Sequence, residues 1–181
     1  MFFGPTICHL VDRNITTKVL CLSRGNFYGK GSLRKTELEA ACSHFGVESE
    51  CLDEFMDGPY VWPANRIQNI VHEHVCSFKA TCIVTFDKNG VSGHRNHMSL
   101  ANLTSIGKVK VLYLESLSLI RKFMATLDLG MTFFSGKHYV VAGSLRSIKA
   151  MFCHRSQLVW FRLLYICFSR YMTINSFKSV C

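Results

Sequence analysis

The chain has 181 residues, room for about one domain with a substantial core. Hydrophobic residues make up 49% and charged residues 18%, which excludes an intrinsically disordered chain. The formal net charge of +9 favours anionic partners (nucleic acid, phospholipid headgroups or a phosphorylated substrate) without choosing among them.

From the N-terminus, MFFGPTICHLVDRN has no basic region ahead of a long apolar core, which predicts no signal peptide. Lys18 to Leu22 reads as a short buried strand that ends at the polar loop Ser23 to Lys30. Leu38, Ala41, Cys42 and Phe45 then form one stripe of an amphipathic helix stopped by Gly46. Asp53 to Pro63 is a loop rich in acids, Gly and Pro, and Ile67, Ile70, Val71, His74 and Val75 make a second helical stripe.

Thr81 to Phe86 is the next strand, closing on Asp87, and a Gly-rich loop follows before a helix through Leu100 and Leu103. Val109 to Leu114 and Tyr139 to Val141 are further strands, and from about Ser144 the chain reads as one long, basic and aromatic helix. Strands alternating with helices predict an α/β layer fold with a mainly parallel sheet, in which Lys18–Leu22, Thr81–Phe86 and Val109–Leu114 run parallel. No repeat or linker interrupts the pattern, so residues 1–181 read as a single domain. No stretch reaches the roughly 18 uninterrupted apolar residues of a spanning helix; the best, Leu158 to Phe168, is broken by Arg162.

Nine cysteines without a CxxC pair argue against a zinc ribbon or a thioredoxin-like site. They suit a reducing compartment, although the sequons Asn14-Ile15-Thr16 and Asn102-Leu103-Thr104 weigh slightly the other way. No RNP-like, KH-like or zinc-finger signature accompanies the basic charge, so a nucleic-acid partner is not expected.

The chemistry-bearing stretch is Gly90-Val91-Ser92-Gly93-His94-Arg95-Asn96-His97. In parallel α/β sheets ligands gather beyond the carboxyl ends of the strands, where Asp87, His94 and His97 fall. Two histidines three apart lie on one side of a helical first turn. They suit one shared metal, or one ligand beside a donor to a developing oxyanion; a plain polar turn whose imidazoles cap a helix fits the same spacing.

Asp87 to His97 (DKNGVSGHRNH), Gly31 to Leu38 (GSLRKTEL) and Cys153 to Arg162 (CHRSQLVWFR), with Ser169 to Met172, resemble the N-acetylglucosaminyl-phosphatidylinositol de-N-acetylases of GPI-anchor synthesis, within the wider zinc-dependent sugar deacetylases. The resemblance runs over nearly the whole chain. It implies a Rossmann-like fold, hydrolysis of the acetamide of the glycolipid N-acetylglucosaminyl-phosphatidylinositol, a zinc cofactor, and a place at the cytosolic face of the endoplasmic reticulum membrane. By resemblance His97 is the zinc ligand, and His94 stabilises the tetrahedral intermediate or protonates the departing amine. Arg34 binds substrate, with the phosphate as its partner, and Asp87 orients an imidazole from behind.

The family also carries a His-Pro-Asp-Asp-Glu motif at the end of its first strand, just before the segment that aligns with Met1-Phe2-Phe3-Gly4-Pro5. The expectation is therefore that this chain is without that first strand, two zinc ligands, the general base and the membrane anchor. Its alternative role is then that of an inactive glycolipid- or partner-binding form. Trp160, Phe161, Leu164, Tyr165, Phe168 and Tyr171 among Arg155, Arg162 and Arg170 read as a helix packed on the sheet, or as an interfacial helix on an anionic membrane surface.

Overall fold

A computed structural model describes residues 2–104, 106–124, 138–141 and 145–179. The chain divides into two compact units: residues 1–57 with 118–175, and residues 58–117 with 176–181. The pattern of strands and helices had suggested a single domain.

In the first unit, α1 (Gly4–Asp12) was not anticipated; Pro5 in its first turn suits a helix start, where no N–H is needed. Asn175 anchors it. The buried Asn175 side chain accepts from the Thr6 hydroxyl at 2.6 Å and donates to the Phe2 carbonyl at 2.9 Å. Strand β1 (Lys18–Cys21) is half-buried along its length, not fully buried, and pairs in parallel with β2 (Glu48–Cys51).

That pairing corrects the expectation that β1 shares one sheet with the later strands, because β1 and β2 form a two-stranded sheet of their own. The Glu-Ser-Glu-Cys sequence of β2 has little strand propensity, so its role as the partner of β1 was hidden.

Helix α2 (Gly31–Phe45) ends at Gly46, whose φ of +77° suits only glycine without strain. Its buried stripe is Glu37, Ala41, Cys42 and Phe45, with Glu37 on the face where the apolar pattern placed Leu38. Cys8, Ala41, Phe45 and Ala150 form a core here, the last contributed by the helix Leu145–Cys153.

The long C-terminal helix expected from Ser144 is two helices, Leu145–Cys153 and Trp160–Phe168, followed by strand β6 (Ile174–Ser179); Ser144 itself lies outside the described residues. His154 to Val159, with a short 3-10 turn, breaks the run. Arg170, grouped in the sequence with Arg155 and Arg162, is fully buried and donates to the Ile174 carbonyl. Strand β5 (His138–Val141) neighbours β6 in its sheet.

In the second unit α3 (Ala64–Phe78) buries Ile67, Val71 and Val75, the stripe its periodicity indicated. Strands β3 (Cys82–Phe86) and β4 (Lys110–Leu114) pair in parallel, and the end of β6 runs antiparallel to β4, opposing Leu114 with Phe177. Tyr113 fixes the connection between β3 and β4 by donating to the Leu103 carbonyl.

Candidate functional site

Strand β3 delivers its last residue, Phe86, to the carboxyl edge, and Asp87 follows at once. The chain then turns through α4 (Gly90–Gly93) and enters α5 (Arg95–Ser99), with His94 at the helix N-cap. Three residues of this turn have positive φ: Gly90 (56°), Val91 (63°) and Gly93 (71°). Glycine adopts such angles freely, whereas a β-branched residue there stores roughly 1–3 kcal/mol of strain. Val91 is held in place because it is buried and its N–H donates to the Ser116 hydroxyl at 2.7 Å.

Asp87 builds the turn. Oδ1 accepts from the N–H groups of Asn89 and Gly90, each at 3.1 Å, and from the Ser116 hydroxyl, while Oδ2 accepts from the Ser116 N–H at 2.7 Å. Asp87 makes no direct contact with an imidazole; its carboxylate is engaged with the loop and Ser116. Its influence on His97 passes through Gly90, whose N–H it binds and whose carbonyl oxygen lies 3.2 Å from His97 Nδ1.

A carbonyl only accepts, so Nδ1 carries the proton and the lone pair of His97 sits on Nε2, the form required of a ligand or base. The ring stacks on Phe86, with centroids 4.2 Å apart and planes within 8°. A Cβ on Gly90 would lie 2.9 Å from the Cβ of His97, so only glycine permits this approach. His94 is exposed, its ring centroid 4.9 Å from that of His97.

The other face of α5 holds the segment before α3. Buried Asn96 accepts from the Gly58 N–H at 3.1 Å and donates to the Tyr60 carbonyl at 2.8 Å, and Ser99 accepts from the Trp62 N–H at 3.0 Å. Within HRNH, Asn96 thus binds the scaffold while His94 stands exposed beside His97.

Arg34 belongs to the first unit, whereas Asp87, His94 and His97 belong to the second. Its guanidinium donates to the Gly25 carbonyl at 2.6 Å and pairs with Asp57 at 3.4 Å, while its buried Nε has no hydrogen-bond partner among the described residues. Arg162 carries a like charge nearby: burial, and then the Arg34 guanidinium, push its pKa below the usual arginine value.

One turn after Arg34, Glu37 accepts from the N–H of Ser156 at 2.6 Å and from its hydroxyl at 2.7 Å. Burial works to raise the Glu37 carboxyl, but the bonds from Ser156 and Gln157 hold it below the usual range. Beside it burial drives His154 down to about 4, so that imidazole is neutral at physiological pH. Sequence reasoning saw both segments, GSLRKTEL and CHRSQLVWFR, but not that Glu37 and Ser156 join them. Ser116 carried no sequence signal either.

The described residues contain no group of three His, Cys, Asp or Glu side chains placed to share a metal ion. His94 and His97 therefore do not make a zinc centre by themselves, since zinc hydrolases use about three protein ligands.

Parallel strands, helices packed beside them and a histidine turn past a strand's carboxyl edge define an α/β protein of the Rossmann-like class. Solved structures share this fold: N,N'-diacetylchitobiose deacetylase from Pyrococcus horikoshii aligns over 99% of this chain and 78% of its own, at a TM-score of 0.63 and 14% identity. The 4-carboxy-2-hydroxymuconate hydratase GalB from Pseudomonas putida aligns over 98% and 89%, at 0.64 and 14%. A hydratase and a deacetylase on one fold mean that the fold alone leaves the reaction open.

The sequence goes further. Residues 1–106 match the PIG-L family, described as GlcNAc-PI de-N-acetylase, and the chain belongs to that family of deacetylases. It is 39% identical to the N-acetylglucosaminyl-phosphatidylinositol de-N-acetylase of Bos taurus, over 97% of this chain and 77% of that protein.

Proposed function

We propose that this chain serves the hydrolysis of the acetamide of N-acetylglucosaminyl-phosphatidylinositol to glucosaminyl-phosphatidylinositol and acetate, in GPI-anchor biosynthesis. The observation that carries the reading is His97, fixed in its Nδ1–H form by the Gly90 carbonyl, with His94 beside it. In this role His97 is the chain's metal ligand, and zinc when bound would activate water and polarise the amide. His94, exposed at the helix N-cap, donates to the developing oxyanion or to the departing amine. Asp87 acts from behind, holding the Gly90 peptide that orients His97.

Arg34 is the substrate-binding cation. Its buried, unpartnered Nε and the like charge of Arg162 both favour an anion, and the phosphate of the glycolipid fits that need. Two histidines fall short of a zinc set among the described residues, so further ligands would be needed to hold the ion beside His97.

In this role the protein works at the cytosolic face of the endoplasmic reticulum membrane. No helix among the described residues is long and apolar enough to cross a bilayer. Trp160, Phe161, Leu164 and Phe168 are exposed on one helix; Tyr165 of that helix contacts Phe123, a residue exposed like Leu119 and Ile120. With Arg155 exposed nearby in sequence, this apolar and basic surface suits an anionic leaflet.

The test is binding to vesicles that contain N-acetylglucosaminyl-phosphatidylinositol against vesicles of phosphatidylinositol alone. Preference for the glycolipid, lost in Arg34→Ala, supports the reading. Equal binding to both removes the sugar from it.

A further inference from the structure

Cys21 and Cys51 end β1 and β2 and are register partners in the parallel pair. Adjacent strands lie about 4.8 Å apart, and register partners project from the same face of the sheet. That spacing falls within the roughly 4.4–6.8 Å between Cα atoms that a disulfide spans. The two thiols also converge: Cys21 Sγ donates to the Ser23 carbonyl at 3.1 Å and Cys51 Sγ approaches the same oxygen at 4.0 Å. Both are free and partly exposed, so an oxidant reaches them without unfolding.

We propose that Cys21 and Cys51 form a peroxide-sensitive dithiol, oxidised reversibly to an intrachain disulfide across β1 and β2. The pair is independent of the deacetylase reading.

Cys51 is the attacking sulfur. The hydrogen bond from Cys21 draws its pKa down to about 7, with Lys35 and Arg24 adding to the effect against its burial. Its thiolate attacks one oxygen of hydrogen peroxide, the O–O bond breaks, and the hydroxide released takes a proton to become water. The Cys51 sulfenic acid is then attacked by the Cys21 sulfur: the S–S bond forms, the S–O bond breaks and a second water leaves. Two thiols lose two electrons and peroxide gains them; a dithiol reductant reverses the change. Cys42, buried in α2, has its pKa raised by that burial and takes no part.

The experiment treats the full chain at neutral pH with hydrogen peroxide, alkylates the remaining thiols in denaturant and maps the peptides by mass spectrometry. The expected product is a Cys21–Cys51 peptide pair within a monomer, lost after dithiothreitol. Cys51→Ser should abolish the link and slow oxidation of Cys21 by about tenfold or more. Peptide mapping of the unmutated chain decides the matter even if that variant misfolds. Alkyl label on both Cys21 and Cys51 after oxidation overturns the proposal, as does a link between chains or one from Cys21 to Cys42.

Discussion

The histidine turn and helix α2 hold their functional side chains by opposite means. In the turn, Asp87, Gly90, Val91 and Ser116 shape the backbone, and the backbone orients His97. In α2 the backbone is an ordinary helix, and distant side chains do the positioning: Asp57 for Arg34, and Ser156 for Glu37. A site built from strained backbone leaves a compact local signature of glycines and spaced histidines. One built from long-range side-chain bonds leaves only scattered polar residues. The two regions should therefore fail differently when altered.

Gly90→Ala gives the sharpest break. The positive φ and the 2.9 Å approach to His97 should cost about 1–3 kcal/mol in denaturant unfolding and displace the imidazole. An unchanged midpoint would show that the turn is softer than its geometry implies. Glu37→Gln, in contrast, should leave the helix intact but weaken the two bonds to Ser156, at about 1–2 kcal/mol by the same measurement. About half of the loss should remain in a Ser156→Ala background, since that change removes the hydroxyl donor but keeps the backbone N–H that also bonds Glu37.

Acid sharpens the contrast further, because the α2 side contains His154, a partly buried histidine that is neutral at physiological pH. His154 has a folded pKa of about 4 against about 6.5 when unfolded, so the unfolded chain takes up the proton first. Its contribution is complete above pH 6.5 and is lost as pH falls from there to about 4. Unfolding followed across that window should show the decline, and His154→Gln should flatten it. The smallest effect is expected at the exposed aromatic surface. Trp160→Ser should lower affinity for anionic vesicles by only a few-fold, because one side chain among several is removed.

Legibility in the sequence followed the same division. Strands β1, β3 and β4, the α3 stripe, and the place of Asp87, His94 and His97 beyond β3 were readable, because periodicity and local spacing encode them. Strand β2 was not, since Glu48-Ser49-Glu50-Cys51 owes its conformation to pairing with β1. The C-terminal run read as one helix because no Gly or Pro interrupts it; the break from His154 to Val159 is set by contacts such as that of Ser156 with Glu37. The resemblance gave Asp87 a supporting role behind an imidazole, but not the bonds to Ser116 and the loop amides through which its carboxylate is held.

The central claim is the proposal that His97 belongs to the deacetylase site of this protein. It is tested by acetate release from N-acetylglucosaminyl-phosphatidylinositol with added zinc. The substrate is given to the protein that carries these 181 residues and to its His97→Ala form. The account predicts chelator-sensitive turnover in the first and its loss in the second. Activity that survives His97→Ala would contradict it.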